Sequence, residues 1–97
     1  MMKLTELKPE WLTPDMFMFK SPMGHGDWIT CKRVPMSLKE QFDVIYPAHK
    51  GKIVVQTRPE MAWKFNGNDF DTMTVSPSID CSASGNWHGF IVNGEIK

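Results

Sequence analysis

The chain has 97 residues, 41% hydrophobic and 23% charged, with a formal net charge of zero. This length predicts a single domain, residues 1–97, with one small core. A zero net charge argues against a dedicated nucleic-acid-binding protein, which usually has a basic face. The sequence shows neither an apolar signal segment at its start nor a run of about 20 apolar residues, so we expect a cytoplasmic protein with reduced cysteines.

Aromatic residues and methionines are abundant for this length. The chain contains four Trp, six Phe and eight Met. Such side chains supply large apolar areas to a core, but they also form sticky surfaces for partner proteins. Composition leaves both interpretations open.

The N-terminal half contains signals for short extended segments. Residues 1–15 are predicted to form an arm that lays Leu7 and Trp11 on the core. Strands are predicted over 16–20 and 28–34, the second from its alternating pattern. The Gly-rich segment between these two strands predicts a tight loop.

A weak helix signal follows the second strand. Ser37 and Glu40 have the spacing of a capping box, in which each side chain binds the backbone of the other residue. Pro47 comes soon after, so we expect at most one helical turn.

The C-terminal half is also predicted to be made of strands. Asn93 and Gly94 predict a type I′ turn, because this pair tolerates positive φ at both central positions. The sequence therefore predicts a mainly β fold (with α+β as the alternative): an antiparallel sheet of about six or seven short strands, at most one short helix and a C-terminal β-hairpin. The strands predicted in this half cover residues 52–56, 63–65, 72–75 and the hairpin over 89–97.

No catalytic constellation stands out in the sequence. Ser84, His88 and Asp80 lie close together along the chain, but no glycine-framed nucleophile elbow surrounds the serine. Cys81 near His88 could form a thiolate–imidazole pair, yet one short loop rarely builds an oxyanion hole as well. We therefore expect that the chain is not an enzyme.

Three segments resemble a known family. They are residues 17–24, the pair 63–67 and 76–79, and the closing run 87–96. Together they resemble a family of small phage and prophage proteins of unknown function, over roughly residues 16–97. Members of that family typically have Cys-Pro-x-Cys-Gly at the first segment, Phe-Asn-Gly and then Ser-Pro-Ser-Ile at the second, and Cys-His or Trp-His followed by Gly and Ile at the third.

The resemblance bears on metal binding. In cysteine-bearing relatives the Cys-Pro-x-Cys loop resembles a structural zinc site. Here Ser21 and Met23 occupy the two cysteine positions, and neither side chain is a good zinc ligand. The resemblance therefore implies a lost site and no cofactor. The remaining candidate ligands are Cys81, His88 and His25.

The resemblance and the missing chemistry favour a phage- or prophage-type interaction protein that binds a host bacterial protein, with a bacterial defence complex as one target class. The binding surface is predicted around His25, Trp28, Trp87 and His88, since Trp is enriched at interface hot spots. The alternatives are a degenerate zinc-ribbon-like structural or nucleic-acid-binding module and a small metal-dependent enzyme. An exposed strand edge could also pair two copies as a homodimer.

Overall fold

Two four-stranded sheets and one α-helix form the fold, which confirms the predicted mainly β class. The computed structural model describes residues 2–24 and 26–97. The first sheet has the order β1 (Glu10–Thr13), β2 (Met16–Lys20), β3 (Trp28–Lys32) and β4 (Val54–Val55), and the second has the order β5 (Lys64–Asn66), β6 (Thr74–Asp80), β7 (His88–Val92) and β8 (Glu95–Ile96).

The described residues also include two short 3₁₀ helices. One covers Leu4–Leu7 and buries both of its leucines, and the other covers Ser82–Ser84 between β6 and β7. The backbone N–H of Leu4 donates to the carbonyl of Gly94 over 2.8 Å, which ties the start of the chain to the second sheet. Trp11 on β1 packs edge-on against Phe17, with 5.5 Å between ring centroids.

The helix α1 (Leu38–His49) has 12 residues, so the expectation of at most one turn was wrong. The capping box is present: Ser37 Oγ accepts from Glu40 N over 3.1 Å, and Glu40 Oε2 accepts from Ser37 N over 2.8 Å. The helix continues because Gln41 and Ile45, four residues apart on one face, are both buried. Pro47 removes one donor only near the C-terminal end, where that burial outweighs its cost.

The helix also changes the topology of the first sheet. Strands β3 and β4 pair in parallel, whereas all other strand pairs in residues 2–24 and 26–97 are antiparallel. We expected an antiparallel sheet throughout. That expectation was wrong for this pair, because the segment containing α1 is long enough to return the chain in the same direction.

The C-terminal hairpin has the predicted turn. Asn93 and Gly94 have φ angles of 49° and 74°, as a type I′ turn requires. A Cβ atom on Gly94 would lie 2.1 Å from the carbonyl oxygen of Asp71, so this position also needs glycine for space.

Side chains from both sheets form one hydrophobic cluster. Its members include both cysteines, which are free thiols. No helix in the described ranges is long and apolar enough to cross a membrane. The buried members of the cluster are Leu4, Leu7, Phe17, Phe19, Ile29, Cys31, Trp63, Met73, Val75, Ile79, Cys81 and Ile91.

Candidate active site

Strands β6 and β7 carry polar side chains on the face that points away from the core. Asp80 is the Cα partner of His88, and Ile79 is the partner of Gly89. Ile79 and Gly89 are buried, whereas Asp80 and His88 are exposed. Because successive side chains of a strand point to opposite faces, Ser78 shares the outer face with Asp80 and His88. This face therefore brings together a hydroxyl, an imidazole and a carboxylate.

Ser78 lies two residues before Asp80 on β6, inside the stretch between Val75 and Ile79 where the pairing with β7 shifts register. The carbonyl of Ser78 accepts a hydrogen bond from Nε1 of Trp63 over 3.3 Å, and Trp63 is only 3% exposed. A core side chain thus anchors the backbone that carries the Ser78 hydroxyl.

Strand β6 is irregular next to Ser78. Its pairing with β7 shifts register between Val75 and Ile79, and the Ser76–Pro77 peptide bond is cis. Ser78 itself lies within this irregular stretch, while the pairs at Ile79 and Asp80 are in register. The regular part of the strand pair therefore holds Asp80 and His88 opposite each other.

The Asp80 carboxylate is held by Ser82. Oδ1 of Asp80 accepts from the Ser82 hydroxyl over 2.5 Å and from the Ser82 N–H over 2.9 Å. These two hydrogen bonds, the hydroxyl's first, lower the pKa of Asp80, and the nearby His88 lowers it further. An ionised carboxylate in a fixed position is suited to orient an imidazole and to stabilise its protonated form.

The outward direction of His88 is set by the residues on either side of it in the chain, Trp87 and Gly89. The Trp87 ring packs edge-on against Phe19, with 6.0 Å between centroids. A Cβ atom on Gly89 would lie 2.4 Å from Cζ2 of Trp87, so the indole ring occupies the space beside Gly89. Because Trp87 and Gly89 take the inner face, His88 between them faces outward.

A cleft of about 320 Å³ opens next to Asp80. It lies between the segment that follows β4 and the 3₁₀ helix Ser82–Ser84. Apolar, hydroxyl and charged side chains share its lining, so it can accept a side chain of mixed character. The lining residues are Val55, Gln56, Thr57, Arg58, Met61, Asp80, Cys81, Ala83 and Ser84.

The residues of the predicted binding surface occupy different environments. Trp28 is 8% exposed, and Nζ of Lys52 lies 4.1 Å from the centroid of its ring. Trp87 is half-buried and His88 is exposed. His25 lies outside the described residues. Most of the indole surface at the two Trp positions is thus packed inside the protein, and His88 offers the exposed polar group.

The serines next to Asp80 and His88 in the structure differ from Ser84, the serine considered from the sequence. Ser84 donates its hydroxyl hydrogen to the carbonyl of Cys81 over 2.8 Å, which engages it within its own turn. Sequence reasoning missed Ser78 and Ser82. A usable signal existed, since Ser78 and Asp80 flank Ile79 in an alternating segment, and pairing this segment with the one that begins at His88 brings the polar groups together.

The residues at the zinc position do not fit a zinc ion. Ser21 Oγ donates to Asn86 Oδ1 over 2.7 Å, and Met23 is 49% exposed. Burial, and then the nearby Asp80, raise the pKa of Cys81, which disfavours the thiolate that zinc requires. Among residues 2–24 and 26–97, no group of three His, Cys, Asp or Glu side chains could hold a metal ion.

Comparison with known proteins gives one family. A family model described as "Bacterial ubiquitination-like system serine protease (BubE)" matches residues 47–97, just over half of the chain. No curated protein and no solved structure matches the chain. The matched region includes β6, β7 and the whole Ser78–Asp80–His88 face. The chain therefore belongs to the BubE family.

Proposed function

We propose that this chain is a serine hydrolase of a bacterial ubiquitination-like system that cleaves polypeptide substrates. Ser78 is the nucleophile, His88 is the general base, and Asp80 orients His88. The observation that carries this proposal is the pairing of Asp80 with His88 on the outer face of β6 and β7, with Ser78 two residues before Asp80 on β6. The family description supports it, although the sequence by itself led us to expect no enzyme.

In this reaction Ser78 Oγ attacks the carbonyl carbon of the scissile bond while His88 accepts the hydroxyl proton. The resulting imidazolium is stabilised by the Asp80 carboxylate. His88 then gives the proton to the leaving amine nitrogen as the carbon–nitrogen bond breaks, which leaves an ester of Ser78. Water, deprotonated by His88, hydrolyses this ester and restores both side chains.

The cleft beside Asp80 is suited to the substrate. Val55, Met61 and Ala83 give it an apolar part, and Arg58 gives it a cation. A polypeptide in extended conformation could place one side chain in the cleft while its backbone crosses the outer face of β6 and β7. We assign the cleft to this substrate contact.

A covalent probe tests the nucleophile directly. A fluorophosphonate reacts with activated serines, and mass spectrometry of the digested protein identifies the modified residue. We expect modification at Ser78, and we expect Ser78→Ala and His88→Ala to abolish it. Ser76→Ala is the matched control, since Ser76 is an exposed serine two residues away, and it should leave labelling unchanged.

Two outcomes contradict the assignment. Modification at Ser76, Ser82 or Ser84 would give the nucleophile to another residue. The lack of any modified serine in protein that folds, as judged by circular dichroism, would refute the hydrolase proposal.

The Asp80→Asn substitution tests the role of the carboxylate. It should slow labelling of Ser78 and change the pH profile of that labelling, because an amide cannot stabilise the imidazolium.

Binding of a host protein without cleavage is a second proposal. Supporting it are exposed aromatic rings on α1: Phe42 is 50% and Tyr46 is 59% exposed, with 5.3 Å between their centroids. The proposed partner in this case is a host bacterial protein, with a bacterial defence system as the target class, and the proposed source of the chain is a phage or prophage. Inhibition of such a system by the Ser78→Ala variant as strong as by the unchanged protein would favour binding over cleavage.

A further inference from the structure

A largely buried hydrogen-bonded cluster joins the loop between β2 and β3 to the residues just before β7. We call Ser21, Asp27 and Asn86 the clamp. Ser21 Oγ donates to Asn86 Oδ1 over 2.7 Å, and Asn86 Nδ2 donates to Asp27 Oδ2 over 3.1 Å. The N–H of Ser21 donates to the carbonyl of Asp27 over 2.8 Å, which closes the loop on itself. Two segments that are 65 residues apart in the chain are thereby held together.

Two members of the clamp are buried and the third, Asp27, is half-buried. Ser21 is 2% and Asn86 is 6% exposed. In the described part of the chain, every buried side-chain nitrogen or oxygen has a hydrogen-bond partner, so no buried polar atom of the clamp is left unpaired. Loss of one member would leave a buried donor or acceptor without a partner, which costs more than the hydrogen bond itself contributes.

The clamp also controls where β7 begins. Oδ1 of Asn86 accepts a second hydrogen bond, from the N–H of Trp87 over 2.7 Å. Asn86 is two residues before His88, and the carbonyl of Trp87 accepts from Cys81 N over 2.9 Å. The backbone on the N-terminal side of His88 is thus fixed from two directions, by Asn86 and by the strand that carries Asp80.

We infer that the clamp is a positioning element for His88: through Asn86 it fixes the start of β7 and so the direction from which the imidazole meets Ser78 and Asp80. This inference rests on the proposed function. The three residues do not contact the substrate, so they are positioning residues rather than catalytic ones. Hydrogen bonds link the clamp residues, and the Ser21 hydroxyl and the Asn86 carboxamide are not the thiolate or imidazole ligands that zinc prefers.

The test compares Asn86→Ala and Ser21→Ala with Ile45→Val. Ile45 is 1% exposed on α1, outside the β6–β7 face, and its truncation to Val costs about 0.5–1.5 kcal/mol, which overlaps the lower part of the cost of about 1–3 kcal/mol for a buried polar group left without a partner. For each variant we would measure the melting temperature, the pKa of His88 by NMR titration, and the pH profile of fluorophosphonate labelling. His49→Ala and His88→Ala assign the histidine signals.

We expect the two clamp variants to shift the NMR titration of His88 and to slow labelling of Ser78 by about 10- to 100-fold, as displacement of a catalytic group by about 1 Å does. Asn86→Ala should have the larger effect, since Ser21→Ala keeps the bond to Trp87. Ile45→Val should lower the melting temperature without either change. A strong chelator should change none of these quantities in the unaltered protein.

Three results would overturn the inference. In the first, the clamp variants have lower melting temperatures, but their His88 titration and their labelling rate equal those of Ile45→Val. The clamp would then contribute to stability only. In the second, chelation lowers the melting temperature or the labelling rate. In the third, His88 titrates identically in all folded variants. If unaltered protein is not labelled at all, the hydrolase proposal fails, but the NMR titration still decides whether the clamp positions His88.

Discussion

The substitution Gly89→Ala tests whether packing on the core-facing side of β7 controls the stability of the protein and the position of His88. A methyl group at this position would lie 2.4 Å from Cζ2, 2.6 Å from Cε2 and 2.8 Å from Nε1 of Trp87. Real Cβ contacts are not that short, so either the indole ring or β7 must move in Gly89→Ala. The expected cost is that of overpacking, about 1–3 kcal/mol, because the φ angle of Gly89 is not in the left-handed region and adds no strain.

The magnitude can be checked by thermal and urea unfolding. For a domain of 60–100 residues, 1 kcal/mol corresponds to about 4–8 °C, so Gly89→Ala should lower the melting temperature by roughly 5–20 °C. Labelling of Ser78 should slow as well, since His88 is next to Gly89 on β7. The urea midpoint should fall with an unchanged slope if only stability changes.

A double-mutant cycle identifies the cause. Trp87→Leu removes the three ring atoms that would collide while keeping an apolar side chain. In that background Gly89→Ala should cost nothing, or stabilise by a few tenths of a kcal/mol up to about 1, because Ala restricts the unfolded chain more than Gly. An equal cost of Gly89→Ala in both backgrounds would show that Trp87 is not the obstacle and would refute this reasoning.

Two further predictions concern pH and the helix. Burial raises the pKa of Cys31 well above its ordinary value and that of Cys81 to a lesser degree, so the folded protein keeps both thiol protons above pH 9, where the unfolded chain loses them. Stability should therefore fall as the pH rises above about 9, by at most about 1.4 kcal/mol per pH unit from the fully buried Cys31 and by less from Cys81, and Cys31→Ala should show a shallower fall in urea titrations at successive pH values. Ser37→Ala removes the acceptor for Glu40 N and should destabilise by about 0.5–2 kcal/mol, whereas removal of the exposed Lys39–Asp43 pair should change the urea midpoint little.

Local sequence signals were sufficient to predict elements whose formation depends mainly on neighbouring residues. The strand Met16–Lys20 and the Asn93–Gly94 turn were predicted correctly, since residue pattern and turn chemistry decide them without help from distant residues. The helix Leu38–His49 was underestimated because Pro47 is a local signal against a helix. What sustains the helix is distant: Gln41 Nε2 donates to the carbonyl of Thr57 over 2.9 Å.

The candidate site depends on contacts between distant parts of the chain more than the helix does. Asp80 and His88 become partners only when β6 and β7 pair, and that register fixes which residues share a face with Ser78. A one-residue slip would turn all these side chains to the other face, so proximity in sequence could not identify the site. The contact between Ser21 and Asn86 spans 65 residues and leaves no sequence signature.

Exposure of the Ser78–Asp80–His88 face has a consequence for the substrate. In water the attraction between two charges at 4 Å is only about 1 kcal/mol, and it grows several-fold where protein replaces water. Asp80 and His88 are both exposed, so the pair stabilises a transition state weakly until something covers the face. A folded protein substrate would cover it, and a short ester or peptide would not. We therefore expect kcat/KM to be at least 10-fold higher for a protein substrate cleaved at one bond than for a peptide of the same cleavage sequence, measured side by side. Equal values would mean that the face is already shielded without a substrate, or that charge stabilisation by Asp80 and His88 is not what limits the reaction.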